Sequence, residues 1–244
     1  MTALPLLEVE GLAKRFGGVQ AVLDLSFQVR EGEILGIIGP NGSGKTTTFN
    51  LITGVYRPDR GRVRFAGHDI TAHRSYEVCG RGICRTFQIA KPFRDLTVLR
   101  NVLIGTLLRH PDPVAAEIRA HEILKTVGLE GRARMVAGSL TTIDQRRLEV
   151  ARALGTGPRL LLLDETMAGL TPTETEEAIR LIASLRSQGL TVVVVEHVMR
   201  AIMSLSDRIV VLDQGTKIAD GTPAEISSDP RVIQAYLGVE YRRA

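Results

Sequence analysis

The chain has 244 residues, of which 44% are hydrophobic and 24% charged, with a formal net charge of +4. That suits one large domain, or a core with one inserted subdomain, and leaves a sizeable hydrophobic core available. No apolar run approaches bilayer length, and Met1-Thr2-Ala3-Leu4-Pro5 lacks the basic-then-apolar order of a signal peptide, so a cytosolic protein is expected.

The modest positive charge reads as a solvated surface of mixed sign. Cys79 and Cys84 have no second pair or histidine cluster beside them, so reduced thiols are expected rather than a metal site. The sequence shows no internal repeat or low-complexity tract.

In chain order, residues 6–9 read as a strand and 12–18 as the approach to a turn. Residues 22–29 read as a partner strand with Leu23, Leu25, Phe27 and Val29 on one face. Phe16, on this short hairpin, is either a stacking face for a base or plain core packing. After a turn at 31–33, Ile34-Leu35-Gly36-Ile37-Ile38 reads as a buried strand. It runs into Gly39-Pro40-Asn41-Gly42-Ser43-Gly44-Lys45-Thr46, the G-x-x-x-x-G-K-[ST] pattern of a phosphate-binding loop, with a helix following to about Ile52. The residue types suit a triphosphate. Gly42 and Gly44 lack a Cβ, so backbone can approach the anion closely. The loop amides and the first helical amides, at Thr46 and Thr47, point at it. Lys45 is placed to reach the β- and γ-phosphates, and Thr46 to offer its hydroxyl to Mg2+.

Residues 54–61 are a turn-rich connection, 63–65 a strand, 67–69 a hairpin turn, and 83–88 a buried strand ending on Gln88. From residue 89 the pattern becomes helical. A first helix spans 97–108, with Val98, Leu99, Val102, Leu103 and Leu107 apolar, and a second spans 114–127, with Ile118, Ile123 and Val127 apolar. Residues 89–155 are therefore expected to form an inserted helical subdomain. Residues 1–88 and 156–222 would form the nucleotide-binding core, and 223–244 a helical tail. His110 and His121 fall on the polar surface of the insert.

Leu160 to Leu163 is an apolar run closed by Asp164 and Glu165. A run buried on both faces suits a central parallel strand, and ligands of such sheets sit beyond the carboxyl ends of the strands. Asp164 is therefore expected to hold Mg2+, and Glu165 to polarise the attacking water. Thr171-Pro172-Thr173-Glu174 opens a helix through a capping box, running to about Gln188 with Ala178, Ile179, Ile182 and Leu185 inward. Residues 191–195 form another buried strand and put His197 at its carboxyl end, as a donor to the γ-phosphate. Residues 208–212 and 216–219 flank a hairpin at Asp213-Gln214-Gly215. Short helices follow at 223–228 and 232–237, and 240–244 are expected to fray.

The loop at 39–46, Gln88 at a strand end, the helical insert, Leu160 to Glu165 and His197, in this order, resemble the ATP-binding subunit of ABC transporters over essentially the whole chain. Within that family the chain is most similar to the subunits of branched-chain amino acid importers. The stretches that carry this are Arg85-Thr86-Phe87-Gln88, Leu96 to Val102, Arg146 to Leu154, Ala168-Gly169-Leu170-Thr171-Pro172, and Ala235-Tyr236-Leu237-Gly238. The resemblance implies an α/β P-loop core with an antiparallel β subdomain and an inserted α-helical subdomain. It implies that Phe16 stacks on adenine, that Gln88 contacts Mg2+ and the attacking water, and that His197 is a switch histidine. It also implies a head-to-tail dimer with a second ATP-binding subunit of the same or another kind, closed by ATP and reopened by hydrolysis. Transmembrane permease subunits are the direct partners and a solute-binding protein an indirect one, at the cytoplasmic side of the inner membrane.

The usual Leu-Ser-Gly-Gly-Gln signature of that family stands here as Leu140-Thr141-Thr142-Ile143-Asp144. Thr141 keeps a hydroxyl within possible reach of a γ-phosphate, Thr142 and Ile143 replace glycines, and Asp144 adds a negative charge at a helix start. Either the segment is a working variant, or it weakens one of two composite sites. Thr166 replaces the usual proline after Glu165, and Thr171 stands where an aspartate or asparagine is common. The reading that follows is an Mg2+-dependent ATPase that powers import of branched-chain amino acids or related small polar solutes. Phe93, Leu96 and their neighbours form either the cleft for a permease helix or ordinary subdomain core. The alternative is a regulatory ATP-binding subunit beside an active partner. A DNA-repair or translation ATPase, with nucleic acid as partner, usually needs two cassettes or long coiled-coil inserts, and the chain has neither.

Overall fold

The computed structural model describes residues 5–86 and 91–241, with side chains through Tyr236. The chain forms β1 (Leu7–Phe16), β2 (Val19–Val29), β3 (Ile34–Ile38), α1 (Lys45–Ile52), β4 (Arg60–Phe65), β5 (His68–Asp69), α2 (Ser75–Arg81) and β6 (Ile83–Arg85). Next come α3 (Val98–Thr106), α4 (Pro113–Thr126), α5 (Thr142–Gly155), β7 (Leu160–Asp164), α6 (Pro172–Ser187) and β8 (Thr191–Val195). The chain closes with α7 (Met199–Leu205), β9 (Arg208–Asp213), β10 (Thr216–Gly221), α8 (Pro223–Ser228) and α9 (Pro230–Tyr241).

Two sheets result, in strand order β2-β1-β4-β5 and β10-β9-β3-β8-β7-β6. The first is antiparallel throughout. The second is parallel from β9 to β6, with β10 antiparallel at its edge. Every residue of β3, β7 and β8 is buried, as a sheet covered on both faces requires. Alternate side chains serve two cores. Ile34, Ile38, Leu161, Leu163, Val192 and Val194 join the core that holds α3, α4, α5 and α6. Leu35, Ile37, Leu160, Leu162, Val193 and Val195 join the core under the antiparallel sheet and α1.

The structure corrects several sequence expectations. β1 does not stop near Val9; it continues to Phe16 across a bulge. The register passes from Val9↔Phe27 to Leu12↔Leu25, one extra residue on β1, at Gly11 with φ +57°. A compensating extra residue on β2 follows, with Asp24 at φ +49°. That second bulge shifts the side-chain phase, so Val22 is buried and Leu23 points out at 48% exposure. The hairpin turn after β4 is Ala66-Gly67, both at positive φ, and His68–Asp69 is the return strand. Helices α2 and α7 are not among the elements expected from the sequence; α2 buries only Val78, whereas α7 buries Ala201, Ile202 and Leu205.

In the insert, Thr97 caps α3 by accepting from the Arg100 amide, and Asp112 caps α4 by accepting from the Ala115 amide at 2.8 Å. Val98, Val102 and Ile123 are buried as expected, whereas Leu107 and Ile118 are exposed. The capping box of α6 forms, with Thr171 N donating to Glu174 Oε2 at 2.7 Å. The terminal helix is longer than expected, reaching Tyr241. Both cysteines are free thiols, partly buried. No helix among the described residues is long and apolar enough to cross a membrane.

Candidate functional site

Asp164 pairs with Val195, and Val195 with Ile37, so the carboxyl ends of β7, β8 and β3 lie side by side. The segments leaving those ends carry Asp164 and Glu165, Glu196 and His197, and the loop from Gly39. Parallel pairing is thus what gathers residues far apart in sequence on one edge of the sheet.

The loop is shaped by close backbone approach. A Cβ on Gly39 would lie 2.1 Å from the Leu212 carbonyl oxygen, and one on Gly44, at φ +102°, would lie 2.5 Å from the Ala21 carbonyl oxygen. Gly42 has no protein atom within 4 Å of such a Cβ. Lys45 Nζ folds back to donate to the Gly39 and Pro40 carbonyls, at 2.7 and 3.0 Å. Burial lowers the Lys45 pKa, while Glu165 and then Asp164 oppose that shift. Ser43 Oγ is buried with no hydrogen-bond partner among the described residues, a polar group suited to a phosphate oxygen. Asn41 and Thr46 are exposed, and Pro40 and Thr47 half-buried.

Asp164 is 1% exposed and accepts from Arg85 Nη2 at 2.7 Å. Arg85 Nη1 also donates to Asn50 Oδ1 of α1, and the Asp164 amide donates to Thr86 Oγ1 at 3.3 Å. Burial, joined by the neighbouring Glu165 charge, raises the Asp164 pKa against the opposing charge and hydrogen bond of Arg85. Sequence reasoning did not assign Arg85 this role; the only local signal was a short buried strand ending in a cation. Glu165 follows with φ +50°, a left-handed conformation unusual for a non-glycine residue, and its amide donates to the Val195 carbonyl at 2.9 Å.

Glu196 was missed altogether. It is 1% exposed and accepts from the Met167 amide through Oε1 at 2.7 Å, while Oε2 has no hydrogen-bond partner among the described residues. Burial pushes its pKa up to about 7 against the Met167 amide, with Glu165 adding to the rise. The next residue, His197, is exposed.

Thr141 is the N-cap of α5, and its hydroxyl is already engaged. It accepts from the Asp144 amide at 3.3 Å and donates to Asp144 Oδ2 at 2.7 Å. The buried Asp144 carboxylate is also paired with Arg132. The charge expected at this helix start is therefore balanced within the protein.

Phe16 is 41% exposed, so core packing does not describe it. Its ring meets the Tyr56 edge at 5.1 Å, with Lys14 Nζ 5.6 Å from its centroid. Phe93 is likewise exposed, under the Arg152 guanidinium at 4.7 Å. Gln88 lies outside the described residues. A cavity of about 500 Å³ lies between α5 and α6, lined in part by Ile143, Arg146, Leu170 and Ala178, and no residue of the phosphate loop borders it.

A glycine loop with a buried lysine, meeting a buried aspartate and a glutamate at the carboxyl edge of the same parallel sheet, defines a P-loop nucleoside-triphosphate-binding protein. The family model for ABC transporters matches residues 22–168, and the model for branched-chain amino acid ATP-binding cassette transporters matches 216–242. The high-affinity branched-chain amino acid transport ATP-binding protein BraF of Pseudomonas aeruginosa is 43% identical, over 96% of this chain and 98% of that protein. The crystal structure of the ADP conformation of MJ1267, an ATP-binding cassette of an ABC transporter, superposes with a TM-score of 0.87 at 32% identity, covering 97% of this chain and 100% of that one. A dimeric post-hydrolysis state of the cassette MJ0796 with ADP and Pi gives 0.80 at 27% identity, over 89% and 98%. The chain belongs to the ABC transporter family as an ATP-binding subunit, and it is an ATPase. Within that family it is of the branched-chain amino acid transporter type.

Proposed function

We propose that this chain hydrolyses ATP on the cytoplasmic face of the cell membrane to drive import of branched-chain amino acids or related small polar solutes through partner permease subunits. Residues 1–88 and 156–222 form its nucleotide-binding core, 89–155 the helical subdomain and 223–244 the tail. The observation that carries the reading is the meeting of Lys45 with Asp164 and Glu165 at the carboxyl edge of the parallel sheet, where β8 separates β3 from β7, close enough that both carboxylates act on the Lys45 pKa. The segment match at 216–242 supports the solute class.

In this reading the amides of residues 39–47 and Lys45 bind the triphosphate, and the exposed Phe16 ring stacks on adenine. Mg2+ suits the donor set, since the Asp164 carboxylate and the exposed Thr46 hydroxyl are both hard oxygen donors. When bound, Mg2+ neutralises charge on the phosphate oxygens. Glu165 orients a water and takes its proton as the water oxygen bonds to the γ-phosphorus. The bridging Pγ–O bond breaks, giving ADP and inorganic phosphate. His197 donates to the γ-phosphate, and Gln88 completes the shell. A second subunit, in head-to-tail arrangement, presents its 140–144 segment across the nucleotide.

The test is reconstitution. Vesicles carrying this chain with its permease subunits should take up leucine in an ATP-dependent way when the matching solute-binding protein is present. ATP turnover that no branched-chain amino acid stimulates would overturn the solute assignment.

A further inference from the structure

We propose that Glu196 is a positioning residue: by gripping the Met167 amide it holds the loop that begins at Glu165 and so sets the place of the attacking water. The proposal rests on the reading of Glu165 as the base.

Glu165 sits at φ +50°. A non-glycine residue keeps that conformation only where its surroundings over-determine it. Three successive residues supply the restraint. The Glu165 amide donates to the Val195 carbonyl at 2.9 Å. The Thr166 carbonyl accepts from Arg146 Nη1 of α5 at 3.0 Å. The Met167 amide donates to Glu196 Oε1 at 2.7 Å. Of these, only the last is made by a side chain leaving the strand that also leads to His197.

The chemistry of the position points the same way. Glu196 follows a run of four valines and is 1% exposed, with no partner for Oε2 among the described residues. An apolar side chain would fill such a place at less cost than a carboxyl group. What a carboxyl supplies there, and a valine does not, is an acceptor for the Met167 amide. The hydrogen bond joins the segment after β7 to the segment after β8. A shift at His197 therefore reaches the Glu165 loop through one contact.

The experiment compares Glu196→Leu and Glu196→Gln with the wild-type chain, beside Glu165→Gln, by ATP turnover over a range of ATP concentrations. Glutamine keeps an acceptor oxygen, and leucine does not. Glu196→Leu should lower kcat by roughly tenfold to a hundredfold, as misplacement of a reacting group does, with KM for ATP within about twofold. Glu196→Gln should recover most of the lost kcat. Wild-type kcat in Glu196→Leu, or an equal loss in both variants, would overturn the proposal. Full turnover in Glu165→Gln would instead sink the base assignment. Should Glu196→Leu fail to fold, hydrogen exchange on the wild-type chain decides. The Met167 amide should be protected, and exchange at the rate of a solvent-exposed loop amide would overturn the grip.

Discussion

Arg85 Nη2 lies 2.7 Å from Asp164 Oδ2, and these two residues close neighbouring parallel strands. Both side chains are almost wholly buried, at 9% and 2% exposure. Breaking such a pair by removing one partner typically costs about 3–5 kcal/mol, because a charge is left uncompensated. Arg85→Leu should therefore lower the urea midpoint sharply, and Arg85→Leu with Asp164→Asn should recover part of the loss. An unchanged midpoint in the single variant would show that the pair does not hold these strand ends.

Glu196 makes stability depend on pH. Its folded pKa is about 7, raised from the ordinary 4.5. The folded state therefore holds the proton more tightly than the unfolded chain, and the stabilisation is complete below about pH 4.5. It is lost as pH rises through about 7. A rise of this size corresponds to about 3 kcal/mol. Unfolding free energies from pH 5 to 8 should show Glu196→Gln gaining relative to the wild-type chain as pH rises. Parallel curves would contradict the burial of an ionisable group there.

The Thr141 hydroxyl caps α5 and also bonds the Asp144 carboxylate. Thr141→Ala should cost about 1 kcal/mol in thermal unfolding, and Thr141→Ser much less. Equal losses in the two variants would mean that the hydroxyl contributes nothing to the helix start.

Phe16 offers an exposed ring steadied by Tyr56 and Lys14. If it carries adenine, Phe16→Ala should weaken ATP binding by about tenfold, within the usual range for base stacking on an aromatic, and leave kcat near its wild-type value. Titration calorimetry with a non-hydrolysable ATP analogue reads this directly. Unchanged affinity would remove Phe16 from the site.

What the sequence revealed was chemistry confined to short segments. Gly39 to Thr46 announces itself because loop, strand and helix are contiguous. Leu160 to Asp164 does so because a run buried on both faces needs no partner to be recognised. The cap at Thr171 also rests on neighbours three residues apart. The remainder depends on pairings set by the fold. Arg85 meets Asp164 across 79 positions, and Glu196 meets the Met167 amide across 29. No local pattern names the partner in either bond. Strict alternation fails at Leu23 because the left-handed Asp24 shifts the phase between buried Leu25 and the residues before it, leaving Val22 inside and Leu23 outside. For Phe93 the sequence allows either a permease cleft or subdomain core, and the ring lies exposed beneath Arg152.

In the proposed mechanism, groups from separate strand ends act together on the γ-phosphate of bound ATP. The most direct measurement is steady-state ATP turnover of Glu165→Gln, with nucleotide binding followed in parallel. ATP should still bind while turnover falls about a hundredfold or more, the scale expected for loss of a general base. Turnover within about twofold of wild type, with binding intact, would contradict that mechanism.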